Sequence, residues 1–162
     1  MTSQADFTEE EWARLKRAPF VAALGVSLAD PGGPIEAVKE TSAALRTVVN
    51  AATADDRGDL VRELAQAVQA DAKERKNPIG GFKPARGVNA GVEILDELRA
   101  VNEILSSKAS TEDAAAVRAW LLDVAQAAAD AAKEGGFFGF HAQRVSEGEQ
   151  KMLDSLGEAL AG

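Results

Sequence analysis

Apolar residues recur along this chain at the three- and four-residue spacing of amphipathic helices, and no stretch alternates with the period of two that a strand requires. Thr8 and Glu11 form a Ser/Thr-x-x-Glu capping box, so a helix is expected to start there and run through Trp12 and Leu15 to Arg17. Pro19 lacks an N–H and disfavours helical angles at Ala18. It therefore reads as an interruption, followed by a second helix over 19–29 that is apolar nearly all round and expected to be buried. The turn Asp30-Pro31-Gly32-Gly33-Pro34 precedes a helix to about Ala52. On it Ile35, Val38, Ala44 or Leu45, and Val48 or Val49 face inward, and Glu36, Lys39, Glu40 and Arg46 face out.

Thr53 to Asp56 reads as the next cap region, and the helix beyond it, to about Glu74, repeats Leu60, Leu64, Val68 and Ala72 at four-residue intervals. Helical pattern returns over 88–105 with Val92, Leu95, Leu98 and Val101 or Ile104 as the inner stripe. Ser110 to Asp113 opens a helix to Lys133 carrying Trp120, Leu121, Val124 and Ala128 inward, its acidic first turn matching the helix dipole. Ser146 and Glu149 make another capping box, before a last helix over 146–161 with Met152, Leu153, Leu156 and Leu160 inward. The sum is an all-α, single-domain bundle of roughly seven helices, with a flexible lead over 1–7 and long loops over 76–86 and 135–145.

Composition changes the kind of core expected. A domain of 162 residues buries about 70% of the surface its unfolded chain exposes, so no staple is needed. Hydrophobic residues make up 46% but aromatics only 5%, with alanine filling much of the difference, so helices should approach closely. Cysteine is absent, which removes disulfides, thiolate metal sites and thiol catalysis, and is compatible with a reducing cytoplasm. The formal charge of −8 argues against general nucleic-acid binding. No apolar run approaches the ~20 residues of a membrane span, and residues 1–12 have neither the basic nor the apolar region of a signal peptide.

Two segments break the helical pattern. Residues 73–86, KERKNPIGGFKPAR, hold Lys73, Arg75, Lys76, Lys83 and Arg86 against Glu74, the one clear positive stretch of an acidic chain. They read either as a docking site for an anionic partner, with Lys83 and Arg86 as contact residues, or as a solvated connection. Residues 133–149, KEGGFFGFHAQRVSEGE, contain Phe137, Phe138 and Phe140, half of the six phenylalanines, together with Arg144 and the sole histidine, His141. The phenylalanines either seal the end of the bundle or form a contact patch, since three in four positions cannot all point one way.

Catalytic sets are incomplete. A di-iron bundle needs Glu-x-x-His pairs, and the residue three before His141 is Phe138. Neither glycine cluster continues as Gly-Lys-Ser/Thr, so no Walker-type phosphate loop is present, and no serine sits in a nucleophile elbow. No catalytic residue is assigned.

Two passages share a plan: residues 22–40, AALGVSLADPGGPIEAVKE, and residues 123–160. Each runs from a small-residue helix through a glycine turn into a helix that begins with carboxylates. This resembles the repeated Ala-Asp-Gly-x-Val/Ile-x-x-x-Glu turn of bacterial tellurite-resistance TerB-like domains. Ala29, Asp30, Gly32, Ile35 and Glu40 lie on that pattern in the first passage, with Pro31 and an extra Gly-Pro departing from it. In the second, Val145, Ser146, Glu147 and Glu149 match the helix entry, while the aspartate before the glycine is missing and Glu134 alone precedes it. The resemblance implies an all-helical cytoplasmic domain and a possible divalent cation held by Asp30, Glu36, Glu40, Glu147 and Glu149. Residues 133–149 also resemble a phrase of uncharacterised bacterial proteins that have glycines at the positions of His141 and Ala142, which makes His141 a poor catalytic candidate.

The expectation is a non-enzymatic cytoplasmic interaction or stress-response module, with a protein partner or self-association. The alternatives are a divalent-cation binder using the acidic helix turns, and a small-ligand binder or enzyme with a pocket near Trp120 and the 137–140 loop.

Overall fold

A computed structural model describes residues 1–29, 34–85, 89–133 and 145–162, with the backbone alone for 34–39 and 132–133. Among the described residues there are six α-helices and no strand: α1 (Glu9–Ala29), α2 (Pro34–Asn50), α3 (Asp59–Lys73), α4 (Asn89–Lys108), α5 (Thr111–Lys133) and α6 (Glu147–Ala159). The all-α expectation therefore holds, with six helices in place of seven.

The difference lies at Pro19, which sits inside α1 instead of ending a helix. Proline forfeits the N–H that would donate to the Leu15 carbonyl one turn earlier. Residues 18–23 are buried without a break around it, and that packing holds the helix together across the missing bond. Helix α1 can thus run along the middle of the bundle, touching each of the other five helices; α5 does the same.

Fully buried side chains from the other four helices converge on this pair: Val48 of α2, Leu60 and Leu64 of α3, Ile94 and Leu98 of α4, and Leu156 of α6. Alanines 18, 22, 125, 128 and 129 are buried in α1 and α5, which lets the axes come close. Gly25 marks a close crossing of helices in the core. A Cβ there would meet Ile94 Cγ2 at 3.1 Å and Met152 Sδ at 3.4 Å, so α1, α4 and α6 join at a point where only hydrogen fits without adjustment.

The helix entries follow local chemistry. At α1, Thr8 N–H donates to Glu11 Oε2 at 2.8 Å and Glu11 N–H to Thr8 Oγ1 at 3.2 Å. Phe7 and Trp12, flanking the cap, pack with ring centres 5.9 Å apart and complete a hydrophobic staple. The Ser146 and Glu149 box closes in the same way at 2.9 and 3.2 Å. Ser110 caps α5, accepting from Asp113 N–H at 3.1 Å. The start of α3 differs from expectation: its cap is Gly58, at φ 86°, and not a side chain from 53–56.

Two inward assignments and one outward assignment are corrected by the packing. On α4 the buried stripe is Ala90, Ile94, Leu98, Val101 and Leu105, while Val92 is 56% exposed, because a residue two positions from Ala90 and Ile94 falls on the opposite side of the helix. Ala72, at the end of the α3 repeat, is exposed. Glu40 of α2 was expected to face outward and is instead buried, accepting a hydrogen bond from Ser27 Oγ of α1. Residues 2–7, read as a lead, contain a short 3-10 turn and meet the bundle: Thr2 N–H donates to Asp113 Oδ2 at 2.9 Å and Gln4 N–H to Glu63 Oε2 at 3.1 Å.

Candidate functional site

Helix α3 ends in a Schellman turn, with Lys76 N–H donating to the Asp71 carbonyl and Arg75 N–H to the Ala72 carbonyl, both at 3.0 Å. Arg75 takes the left-handed conformation, φ 57°, that this turn requires. The chain is thereby thrown back across α1. Ile79 and Phe82 pack partly buried against the core, and residues 77–82 form a strap over the space between α1, α2 and α3.

Beneath and beside the strap is a cavity of 580 Å³. Its floor is apolar, with Ala13, Phe20, Leu45, Val68 and Ala72, and Pro78 faces it from the strap. Leu45 is 39% exposed, one of few large apolar side chains left open to solvent. The rim is charged, with Lys16, Arg17, Asp71 and Lys76. Ala13, Lys16, Arg17 and Phe20 follow one helical face, so a single stretch of α1 supplies one wall.

The rim charges are arranged in two networks. In the first, Lys16 Nζ donates to Asp71 Oδ2 at 2.5 Å, and Lys76 Nζ reaches Asp71 Oδ1 at 3.2 Å and Glu74 Oε2 at 2.6 Å. The Lys16 hydrogen bond holds the Asp71 carboxyl below its ordinary value; partial burial opposes it and Lys76 adds to it. In the second, Glu97 of α4 accepts from Arg17 Nη2 at 2.5 Å and Nε at 2.9 Å, with Arg14 Nε 3.9 Å away. The Arg17 guanidinium carbon also lies 5.8 Å from the centre of the Phe82 ring, within cation–π range. Arg17 thus ties α4, α1 and the strap together.

A second cavity of 190 Å³ continues the space on the other side of the strap. It shares Phe20, Asn77 and Pro78 with the first and adds Ala23, Leu24 and Ile79.

Of the residues singled out in the sequence, Lys83 is exposed on the strap's outgoing arm, next to Phe82. Arg86, Asp30, Phe137, Phe138, Phe140, His141 and Arg144 lie outside the described residues, as does the Glu36 side chain. Trp120 is wholly buried, so it belongs to the core and walls no open pocket; its Nε1 has no hydrogen-bond partner.

The entry to α6 lies beside the end of α1. Gly148, in the first turn of α6, lies against the end of α1, where an added Cβ would be 2.6 Å from the Ala29 carbonyl oxygen. The entry to α6 therefore abuts the helix that leads into the 30–33 turn. Glu149 is buried and accepts from Ser146 N–H, Glu40 accepts from Ser27, and Glu147 is exposed. No group of three or more His, Cys, Asp or Glu with metal-binding geometry occurs among the described residues. None of their helices is long and apolar enough to cross a membrane.

The groove was missed in the sequence because the break assumed at Pro19 put Arg17 and Phe20 on different helices. The signal was nevertheless there, in the mixed face of Ala13, Lys16, Arg17 and Phe20. Comparison of the chain with protein-family models, with curated proteins and with solved structures returns no match.

Proposed function

We propose that this chain is a non-enzymatic helical binding module whose contact surface is the strapped groove between α1 and α3. The observation that carries the reading is the 580 Å³ cavity itself, with an apolar floor and a cation-rich rim in a chain of net charge −8. Apolar concave sites of roughly 300–1,000 Å³ with a few placed polar groups are where proteins hold ligands or short segments of partners. The strap brings Lys76 to the rim and leaves Lys83 exposed beside it, which favours an anionic partner. The rim side chains are tied to one another in ion pairs, an arrangement suited to recognition and lacking a paired nucleophile and base. The apposition of the α6 entry and the end of α1 supports a TerB-like plan for the rest of the bundle.

Thermal unfolding in the presence of anionic organic compounds and acidic peptides tests the reading. Compounds that combine an apolar body with an anion should raise the melting temperature of the native protein. The same compounds should not raise that of Ala72→Trp, in which an exposed helical position fills the groove. No shift with either class at millimolar concentration would overturn the proposal.

A further inference from the structure

Resting on that reading of the groove, we infer that its occupant is a free monoanionic amphiphile: a linear apolar chain bearing a single carboxylate-type head. Three features of the site lead to this chemistry.

The first is continuity. The 580 and 190 Å³ cavities adjoin at Phe20, Asn77 and Pro78, which line both, and we take them as two ends of one trench crossed by the strap. Helix α1 lines the trench at 13, 16, 17 and 20, then at 20, 23, 24 and 27. At a rise of 1.5 Å per residue that is a path of about 21 Å. A space drawn out along one helix in this way suits a linear chain better than a bulky ring system or a helix.

The second is asymmetry. All charged lining residues belong to the larger cavity. The smaller one is walled chiefly by Phe20, Ala23, Leu24, Ala44, Pro78 and Ile79, with the polar groups of Ser27, Thr41 and Asn77 at its edge. The head is therefore placed at the Lys16 and Lys76 end, and the tail runs under the strap toward Leu24 and Ile79.

The third is the charge remainder. The rim networks contain four cations, Arg14, Lys16, Arg17 and Lys76, against three carboxylates, Asp71, Glu74 and Glu97. The Lys16, Lys76, Asp71 and Glu74 network balances, so the one positive charge left is in the Arg14, Arg17 and Glu97 network, at Arg17 on the rim of the larger cavity, and one anionic head neutralises it. A cationic amphiphile would add to the excess.

Isothermal titration of the full chain with dodecanoate below its micelle concentration tests the proposal. Parallel arms use acetate, octanoate, dodecyltrimethylammonium, dodecyl maltoside and phosphatidylglycerol vesicles. Dodecanoate should bind with one-to-one stoichiometry, and affinity should rise roughly threefold per added carbon between octanoate and dodecanoate as the tail fills the second cavity. Acetate and the cationic and uncharged amphiphiles should bind at least tenfold more weakly. Lys16→Met should weaken dodecanoate binding about tenfold, and Ala72→Trp should abolish it, with both variants checked for native helicity by circular dichroism. Equal binding of the cationic amphiphile, many-to-one binding, or a response to vesicles but not to free dodecanoate would overturn the inference. If acidic peptides raise the melting temperature while dodecanoate does not bind, the inference fails and the binding-module reading stands. If neither acts, both fall.

Discussion

The Arg17 guanidinium meets the buried Glu97 carboxylate through two donors, Nη2 at 2.5 Å and Nε at 2.9 Å, joining α1 to α4 at the rim of the proposed ligand groove. With Glu97 only 9% exposed, its charge depends on that fork and on the more distant Arg14. Removing one partner leaves the other poorly compensated. Glu97→Gln is expected to lower stability by about 3 kcal/mol, read by urea unfolding. Replacing the pair together, Arg17→Met with Glu97→Leu, should recover most of that loss, because buried ion pairs are rarely better than apolar packing of similar volume. An unchanged denaturation midpoint for Glu97→Gln would show that the pair is not structural.

Two glycines of α6 should respond oppositely to alanine. At Gly148 the new Cβ would lie 2.6 Å from the Ala29 carbonyl oxygen, which is backbone and cannot swing aside. Gly148→Ala should destabilise by about 1–3 kcal/mol. At Gly157, inside the same helix, nothing lies within 4 Å of the added carbon. Gly157→Ala should stabilise by about 0.5–1 kcal/mol through helix propensity. Thermal unfolding of the two variants beside the parent decides both, and a shift of the same sign would contradict the close α1–α6 approach.

Arg75 holds a left-handed conformation, φ 57°, at the position that closes α3, where glycine is the usual occupant. Arg75→Gly removes a strain of about 1 kcal/mol. The melting temperature should rise by about 2–4 °C for a domain of this length. A fall would mean that the side chain contributes more than the strain costs.

Acid sensitivity should come partly from Asp71 and Asp113. The Lys16 hydrogen bond leads in holding Asp71 low, opposed by burial. At Asp113 burial pushes upward and is outweighed by hydrogen bonds from Ser110 and Thr2. Both folded values lie below the unfolded ones. Their stabilisation is therefore complete above the unfolded value, about pH 4, and disappears as pH falls through the lower folded values. Melting temperature should be level from pH 7 to about 5 with respect to these groups and decline below about 4. In Asp71→Asn and in Asp113→Asn the decline should be shallower; an identical acid limb would show that other groups control it.

What the sequence by itself determined is what short-range chemistry controls. The Thr8–Glu11 and Ser146–Glu149 boxes close between residues three apart, and Ser110 caps α5 by the same local reach. The four-residue repeat of Leu60, Leu64 and Val68 needed only the helix period to face inward. These signals gave an all-helical chain and most of its boundaries.

Tertiary structure decided the rest, because it turns on contacts between residues far apart in sequence. Continuous burial of residues 18–23 overrides the break that Pro19 imposes on an isolated helix. Ser27 takes Glu40 inward, and the face of α4 that meets the bundle carries Ala90, Ile94 and Leu98, leaving Val92 outside. The groove has the same origin. Lys16 and Asp71 are 55 positions apart and Arg17 and Glu97 are 80, and no pattern within one helix fixes which distant charges a folded chain sets around one apolar floor.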